Sequence, residues 1–447
     1  MSEAPAAGEE QSQPDLTMLR LAVFWAPLAL MWIVMAIEQP ALNALIARLP
    51  RAAIHLAAFE VAFGLALVIE SPILQMLSAS TALARGRESY RRLLAFMHGL
   101  GGMLVLLHLL IVLPPVFSWI SGDLLGVPEA VRAPAREVLV ILIPFAPMVG
   151  YRRFWQGALI RAGRTGLVAR TMVIRLVVTI GGLVAGLIWY RRSPETVPGG
   201  HVLAAGSLVL GVIAGAVAAG WYARRRVVPT LAEREAQRVK TLPALLRFYV
   251  PLSLTSVMLL ASRPVLAYGM SRSAEPVLSL AAWPVVQSVL FLFTSIALSY
   301  QEAVVAQRRE DGSTDLVLRR FALVLGCALS GLLLIMAFSG AARAWFTHVA
   351  GLTPDLVALA TPAMTILIVM PLIVSLRSYI SGRMVARQRT GLLAVSVAAN
   401  TTTLVLLVVL LPVLTTLLGA ILAAIAFVAA NAAQLTVLWL GGRRRHA

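Results

Sequence analysis

An apolar chain that repeats itself has few folds open to it. Phe24-Trp25-Ala26-Pro27-Leu28 returns as Phe248-Tyr249-Val250-Pro251-Leu252, a spacing of 224 residues. Pro40 returns as Pro264, Ala57-Ala58-Phe59 as Ala281-Ala282-Trp283, and Ser71 as Ser295. The register then slips by one, so that Gly157 meets Gly382 and Arg164-Thr165-Gly166 meets Arg389-Thr390-Gly391. Of the 447 residues, 59% are hydrophobic and 13% charged, too few polar groups to coat a soluble globule of that length. The copies divide into apolar runs near 21–46, 54–79, 93–115, 134–158, 166–190 and 202–223, then near 245–270, 277–304, 318–340, 357–380, 391–413 and 416–440. Each approaches or exceeds the ~20 residues that cross a bilayer as a helix. The expected architecture is therefore an all-α polytopic membrane protein of twelve transmembrane helices in two six-helix bundles. An even number of spans per copy gives both copies the same topology, related by an axis along the membrane normal.

The arginines sort by side. Arg85, Arg87, Arg91 and Arg92, the group from Arg152 to Arg170, the run from Arg224 to Arg247, Arg308 to Arg320, Arg377 to Arg389, and Arg443 to Arg445 all fall on one side of a twelve-span layout. The other side holds Arg48, Arg51, Arg132, Arg136, Arg191, Arg192, Arg272 and Arg343. The positive-inside rule makes the first side, with both termini, cytoplasmic. It also accounts for most of the net charge of +18, which in a soluble protein would point to nucleic acid. Anionic lipids are a secondary expected partner. Residues 1–17 are polar, read as disordered, and lack the basic start of a signal peptide. The lobes are expected at 18–223 and 244–440, with a cytoplasmic linker at 224–243 and a basic tail at 441–447. Cys327 is the one cysteine, so no disulfide forms within the chain, and it reads as a small packing residue.

Charges inside the runs carry the functional expectations, because an unpaired charge in hydrocarbon is expensive and normally faces a cavity or a partner. Glu38 lies beyond the middle of the first run, followed by Gln39 and Pro40. Arg263 aligns with Gln39. Glu38 and Arg263 are expected to line the cleft between lobes, either pairing in one conformation and separating in another or clamping the lobes permanently. Glu60 and Glu70 lie in the second run, roughly 15 Å apart on a straight helix. They read as successive stations for a proton or cation, Glu70 being the better relay, or as fixed partners of Arg175 or another arginine. Arg175 either snorkels to the interface or meets an anionic substrate. Arg48 and Arg51 are expected at the outer rim, and with Arg263 they offer guanidinium forks suited to phosphate or carboxylate. Pro27, Pro40, Pro251 and Pro264 pair across the copies and are expected either to gate the first and seventh spans or merely to shape them. Gly181, Gly182 and Gly186, and Gly211 with Gly215, are candidates for close helix contacts. An interfacial salt bridge is expected between Glu302 and Arg308, and Asn400 and Asn431 are expected to hydrogen-bond between the last helices. His55, His98 and His108 have no metal-ligand spacing and read as packing or polar bridges. No enzyme constellation, phosphate loop, metal site or cofactor site is recognisable. Gly-Arg-Thr-Gly at 163–166 lacks the phosphate-loop lysine.

Some segments resemble a known group. Tyr151-Arg152-Arg153-Phe154-Trp155-Gln156-Gly157, followed by Arg161-Ala162-Gly163-Arg164-Thr165, is similar to a basic, aromatic, Gln-Gly turn after the fourth span in the multidrug/oligosaccharidyl-lipid/polysaccharide (MOP) exporter superfamily. Arg153, Gln156, Gly157, Arg161 and Arg164, with Gly382 and Arg389 in the second copy, make up that expected cytoplasmic motif. Phe24-Trp25-Ala26-Pro27-Leu28 with Glu38-Gln39-Pro40-Ala41-Leu42-Asn43 resembles the progressive ankylosis branch, although Pro40 interrupts the phrase and Ala44 replaces a basic residue. The resemblance implies a V-shaped fold of the multidrug-exporter (MATE) kind, opening alternately to each side. The branch resemblance favours efflux of a small polyanion such as pyrophosphate, a nucleotide or citrate; the expected setting is a bacterial-type inner membrane and a monomer, with proton or sodium coupling as an option. The rivals are export of an organic cation received by Glu38, Glu60 and Glu70, flipping of a lipid-linked saccharide, and a non-transporting membrane scaffold.

Overall fold

The computed structural model describes residues 16–162, 164–196, 198–231, 242–309, 312–386 and 391–443. Its first half runs α1 (Met18–Ala36), α2 (Glu38–Ala47), α3 (Ala52–Glu70), α4 (Met76–Leu83), α5 (Arg87–Val112), α6 (Pro114–Ser118), α7 (Glu129–Ile141), α8 (Phe145–Arg161), α9 (Thr165–Arg192) and α10 (Gly200–Arg226). The second half repeats the plan with α11 (Leu242–Leu260), α12 (Ser262–Ser271), α13 (Pro276–Gln307), α14 (Asp315–Phe338), α15 (Ala341–Ala344), α16 (Pro354–Ile366), α17 (Met370–Ala386), α18 (Gly391–Leu414) and α19 (Gly419–Arg443). Among the described residues ten helical segments are long and apolar enough to cross a membrane, and the protein is a multi-pass membrane protein. The first and seventh runs of the sequence are not among the ten, because each is broken in two.

The breaks follow from the paired prolines. A proline has no N–H to give to the carbonyl four residues back, and its ring crowds that carbonyl. Four residues before Pro40 and Pro264 stand Ala36 and Leu260, the last residues of α1 and α11. Pro27 and Pro251 lie inside α1 and α11 without interrupting them. The breaks let each run serve two lobes. α2 packs on α9 and α10 of its own half, and α12 on α18 and α19 of its own, whereas α1 packs chiefly on α13 and α11 on the 3-10 turn at Ser71–Gln75. The first and seventh runs therefore cross over.

α3 and α13 form the centre, each with 67% of its apolar stretch buried, against 11% for α18 at the periphery. The peripheral helices turn Leu and Val outward, as a lipid-facing surface requires: Leu106, Val177, Leu332 and Leu406 are all exposed. Cys327 is exposed on such a surface rather than packed inside.

Small residues set the closest approaches. A Cβ on Gly157 would lie 2.6 Å from the Leu77 carbonyl oxygen and 2.7 Å from Ser80 Cβ. A Cβ on Gly382 would lie 3.0 Å from the Gln301 carbonyl oxygen and 2.8 Å from Val304 Cβ. Residues 77 and 301, and 80 and 304, are 224 apart, so both halves make the same contact. The Gln-Gly segment is correspondingly no turn: residues 151–161 belong to α8, and Gly157 is a helix-contact residue. Gly211 and Gly215 do the same for α10 against α9, where a Cβ would meet Thr179 and Arg175. The second-copy residue Arg389 lies outside the described residues.

Candidate membrane transport site

The buried charges gather in the first half. α2 opens with Glu38, whose carboxylate accepts hydrogen bonds from Arg175 Nη2 and, at 2.9 Å, from Thr179 Oγ1, both on α9. Gly211 of α10 leaves room for Thr179, which brings α9 close to the carboxylate. Glu70 ends α3 at 4% exposure, within electrostatic reach of Arg153, Arg152 and Arg175 but with no hydrogen bond to its Oε2. Arg152 is buried on α8 and bonds Gln156, which donates to Thr171 Oγ1 at 2.8 Å. Arg153 Nη1 donates to the Leu74 carbonyl at 3.4 Å. The Nε–H groups of Arg152, Arg153 and Arg175, and the amide nitrogen of Gln39, are buried with no acceptor.

The expected Glu38–Arg263 pair does not form. Arg263 aligns with Gln39, and one residue along a helix turns a side chain by roughly 100°. Arg263 of α12 instead bonds Glu60 of α3 at 3.2 Å, with its guanidinium 5.5 Å from the Phe63 ring centroid. Glu60 is 2% exposed and the Arg263 side chain 29%. Glu38 is thus neutralised within the first lobe, and Glu60 across the interface. Arg175 serves Glu38, not Glu70, and does not snorkel: its side chain is 15% exposed.

Two sets of reciprocal contacts close the space between the lobes. At the end nearer the termini, Trp25 of α1 donates to Ser299 Oγ at 2.8 Å and meets Phe321 edge-on at 5.5 Å. Its counterpart Tyr249 of α11 donates to the Pro72 carbonyl at 2.8 Å and meets Phe96 edge-on at 5.0 Å. Trp25 and Tyr249 are 224 apart, and Phe96 and Phe321 are 225 apart. At the far end, Arg48 reaches the other lobe and donates to the carbonyls of His348 at 2.9 Å and Val349 at 2.7 Å. Arg272, 224 residues on, donates to the Leu125 carbonyl at 3.1 Å and lies 3.8 Å over the Tyr268 ring. Both targets lie at the ends of π-helical turns, Trp119–Leu124 and Trp345–Val349, and each turn is followed by a left-handed glycine, Gly126 (φ 68°) and Gly351 (φ 73°), that turns the chain back. Carbonyls at the end of a helical turn lack intrahelical partners, and an arginine fork fits them. Arg48 is expected at the outer rim from the sequence, but its reach to the other copy's turn, and that of Arg272, is a tertiary finding; the signal that pairs the two is the repeat spacing. Arg51 lies exposed at the same end as a left-handed residue, as does its counterpart Glu275.

Other expected residues fall outside this centre. Arg161 donates to the Thr81 carbonyl at 2.9 Å, and Arg164 is exposed at the start of α9. Arg308 pairs with Asp315, which also binds Arg383, and not with Glu302. Asn431 bonds Arg377 across α17 and α19. His98 meets Tyr151, His108 meets the Leu139 carbonyl, and His55 stacks on His201 at 4.2 Å. Among the described residues no group of three or more His, Cys, Asp or Glu side chains is placed to hold a metal ion.

This architecture is shared with solved structures. A structure described as the lipid II flippase MurJ in an inward closed conformation superposes with a TM-score of 0.70 at 13% identity, covering 94% of this chain and 87% of that one. An inward-facing multidrug resistance MATE family transporter of the MOP superfamily gives 0.65 at 15% identity, covering 96% and 98%. A MOP superfamily transporter from Pyrococcus furiosus, described as having a binding pocket of reverse polarity, gives 0.62 at 16% identity and covers 96% of both chains. No curated protein sequence matches significantly. The progressive ankylosis protein (ANKH) family matches residues 10–300. With that match over well more than half its length, and with a fold shared with solved MOP superfamily transporters, the chain belongs to the progressive ankylosis protein family.

Proposed function

We propose that this membrane protein exports a small polyanion, such as pyrophosphate, a nucleotide or citrate, by alternating access. One observation carries the reading: the buried cluster holds more donors than acceptors. Four buried donor groups, on Arg152, Arg153, Arg175 and Gln39, lack an acceptor, against two unpartnered acceptors, Glu70 Oε2 and Asn43 Oδ1. A buried unsatisfied donor costs about 1–3 kcal/mol, more when charged, so such a set stands ready for a ligand that brings acceptors. An oxyanion brings several, and the guanidinium fork matches them two at a time. Arg263 adds a fourth guanidinium when the lobes part, because its neutralising Glu60 belongs to the other lobe. The carboxylates then balance charge in the empty site.

The reciprocal contacts supply the two gates. Opening toward the termini breaks the Trp25 and Tyr249 contacts and keeps Arg48 and Arg272 engaged; opening at the far end does the reverse. We read the first and seventh broken runs as two further crossings, which makes twelve, with both termini in the cytoplasm of a bacterial inner membrane and the lobes at 18–223 and 244–440 joined by 224–243. Pro40 and Pro264 sit where each crossing run changes lobe, and there they act as hinges between the gates. Glu70, buried with a free oxygen, is the residue we assign to proton or sodium coupling; Glu38 and Glu60 are already paired.

The test is transport in proteoliposomes with pyrophosphate, a nucleotide, citrate and a cationic dye, with and without proton or sodium gradients. Movement of an anion and not of the dye is expected, with Arg175→Gln abolishing it. Uptake of the dye alone overturns the proposal in favour of a cation exporter.

A further inference from the structure

We infer that the second lobe holds an anion-binding half-site of its own, centred on Arg377. The inference rests on the polyanion reading above and assigns it a second place in the molecule. α17 carries Arg377 where α8 carries Arg152, 225 residues earlier, and both helices dock through the equivalent glycines Gly157 and Gly382. The two arginines therefore occupy matching places in their lobes.

Their surroundings differ in one direction. Arg152 lies within electrostatic reach of Glu70 and Glu38 as well as of Arg175 and Arg153. In the second lobe the matching positions are Thr294, Ser262, Asn400 and Ser378, none of them ionisable. Among the described residues no carboxylate lies within ion-pair distance of Arg377. On the neighbouring helix the trend is opposite. α10 offers Arg152 a glycine, Gly215, whose added Cβ would lie 3.3 Å from Arg152 Cδ. α19 offers Arg377 two amides: its Nη1 donates to Asn431 Oδ1 at 2.7 Å and to Gln434 Oε1 at 3.0 Å. Asn431 and Gln434 are buried, at 5% and 7% exposure. The positions of the carboxylates hold Thr294 and Ser262, and neutral amides reach Arg377 from another helix, α19.

Amide oxygens solvate a guanidinium without cancelling its charge. Arg377 thus keeps its positive charge within a membrane-embedded bundle, which is costly unless an anion arrives. The Asn431 NH2 is held by the Phe427 carbonyl at 2.8 Å, but the Gln434 amide is a two-way group: turned over, its NH2 donates to an oxyanion while the guanidinium fork takes two of that anion's oxygens. The chemistry recognised is a phosphate or carboxylate oxyanion. A dianion or larger polyanion would be shared between Arg377 and the first-lobe cluster, or handed from one to the other.

The deciding measurement uses the full chain in phosphatidylcholine nanodiscs, titrated with pyrophosphate and separately with citrate, following calorimetric affinity and melting temperature. Arg377→Gln is expected to bind either anion about tenfold or more weakly than the wild type, the scale of one lost charge-assisted fork, while its anion-free melting temperature stays near the wild-type value. Arg377→Lys keeps the charge and loses the fork; it is the fallback if the glutamine variant does not fold, and should also bind about tenfold more weakly. Wild-type affinity in a folded Arg377→Gln or Arg377→Lys protein overturns the half-site and leaves the polyanion reading standing. A wild-type protein that binds neither anion overturns both. A repeat in phosphatidylglycerol nanodiscs separates the sources: stabilisation by that lipid that needs Arg377, with no Arg377 dependence for the free anions, means a headgroup site and overturns the inference.

Discussion

The two halves of this protein have the same skeleton and different chemistry. Both break their leading run four residues before a proline, both enter the next helix through a left-handed residue (Arg51 and Glu275), and both send an arginine to the other's π-helical turn. Yet Glu38, Glu60 and Glu70 stand opposite Ser262, Pro284 and Thr294, and Arg153 and Arg175 opposite Ser378 and Asn400. Features that place helices relative to one another have been kept in both copies, and features that set the interior charge differ. Backbone breaks and helix contacts must fit in both lobes for the crossing runs to interlock. The interior of each lobe is free to diverge, because a ligand needs complementary groups from the pair of lobes together and not from each alone.

The shared skeleton is most sharply tested at its glycines. Gly157→Leu and Gly382→Leu each drive a side chain into backbone and Cβ atoms within about 3 Å. Both should fail to give folded, monodisperse protein by size-exclusion chromatography in detergent, and a variant tolerated in one lobe alone would break the equivalence. The interface pair comes next. Glu60→Gln or Arg263→Gln leaves one charge buried without its partner, a cost of about 3–5 kcal/mol. The double variant Glu60→Gln/Arg263→Gln should regain most of the lost thermal stability, and failure to regain it would mean that these residues act through other neighbours. The far-end arginines should give the smallest effect. Arg48→Gln and Arg272→Gln each remove partly exposed hydrogen bonds to carbonyls, worth about 1 kcal/mol, and should shift the population toward the state open at that end. Distances between spin labels on the two π-helical turns would read the shift; equal shifts for the two variants support reciprocal gates, and a shift for one alone makes the latch one-sided.

Much of this was open to inspection in the sequence. The repeat, the helical class, the paired prolines and the depth of Glu38, Glu60, Glu70 and Arg263 all rest on local properties, namely length, apolarity and position along a run. The ion-pair partners were not legible. Glu38 could be paired on paper with Arg263 at similar depth, but the structure pairs it with Arg175 on α9, which lies 137 residues away. A helix that is apolar on most sides carries little sequence record of which face meets which neighbour, so depth was readable and direction was not. The Gln-Gly segment was misread for a related reason: a basic, polar stretch resembles a turn, although here it continues α8, and its glycine serves a neighbouring helix.

What the sequence determined by itself is a duplicated helical membrane protein whose leading runs carry paired prolines, since repeat spacing and apolarity are written along the chain; that the runs break before Pro40 and Pro264 and not at Pro27 and Pro251 is a finding of the structure. What only the tertiary structure decided is that those runs cross between lobes, that Arg48 and Arg272 reach into each other's halves, and that Arg377 sits among amides, with no carboxylate in ion-pair reach among the described residues. Such pairings depend on the rotation and crossing of helices far apart in the chain, and those are set by the packing of all of them at once.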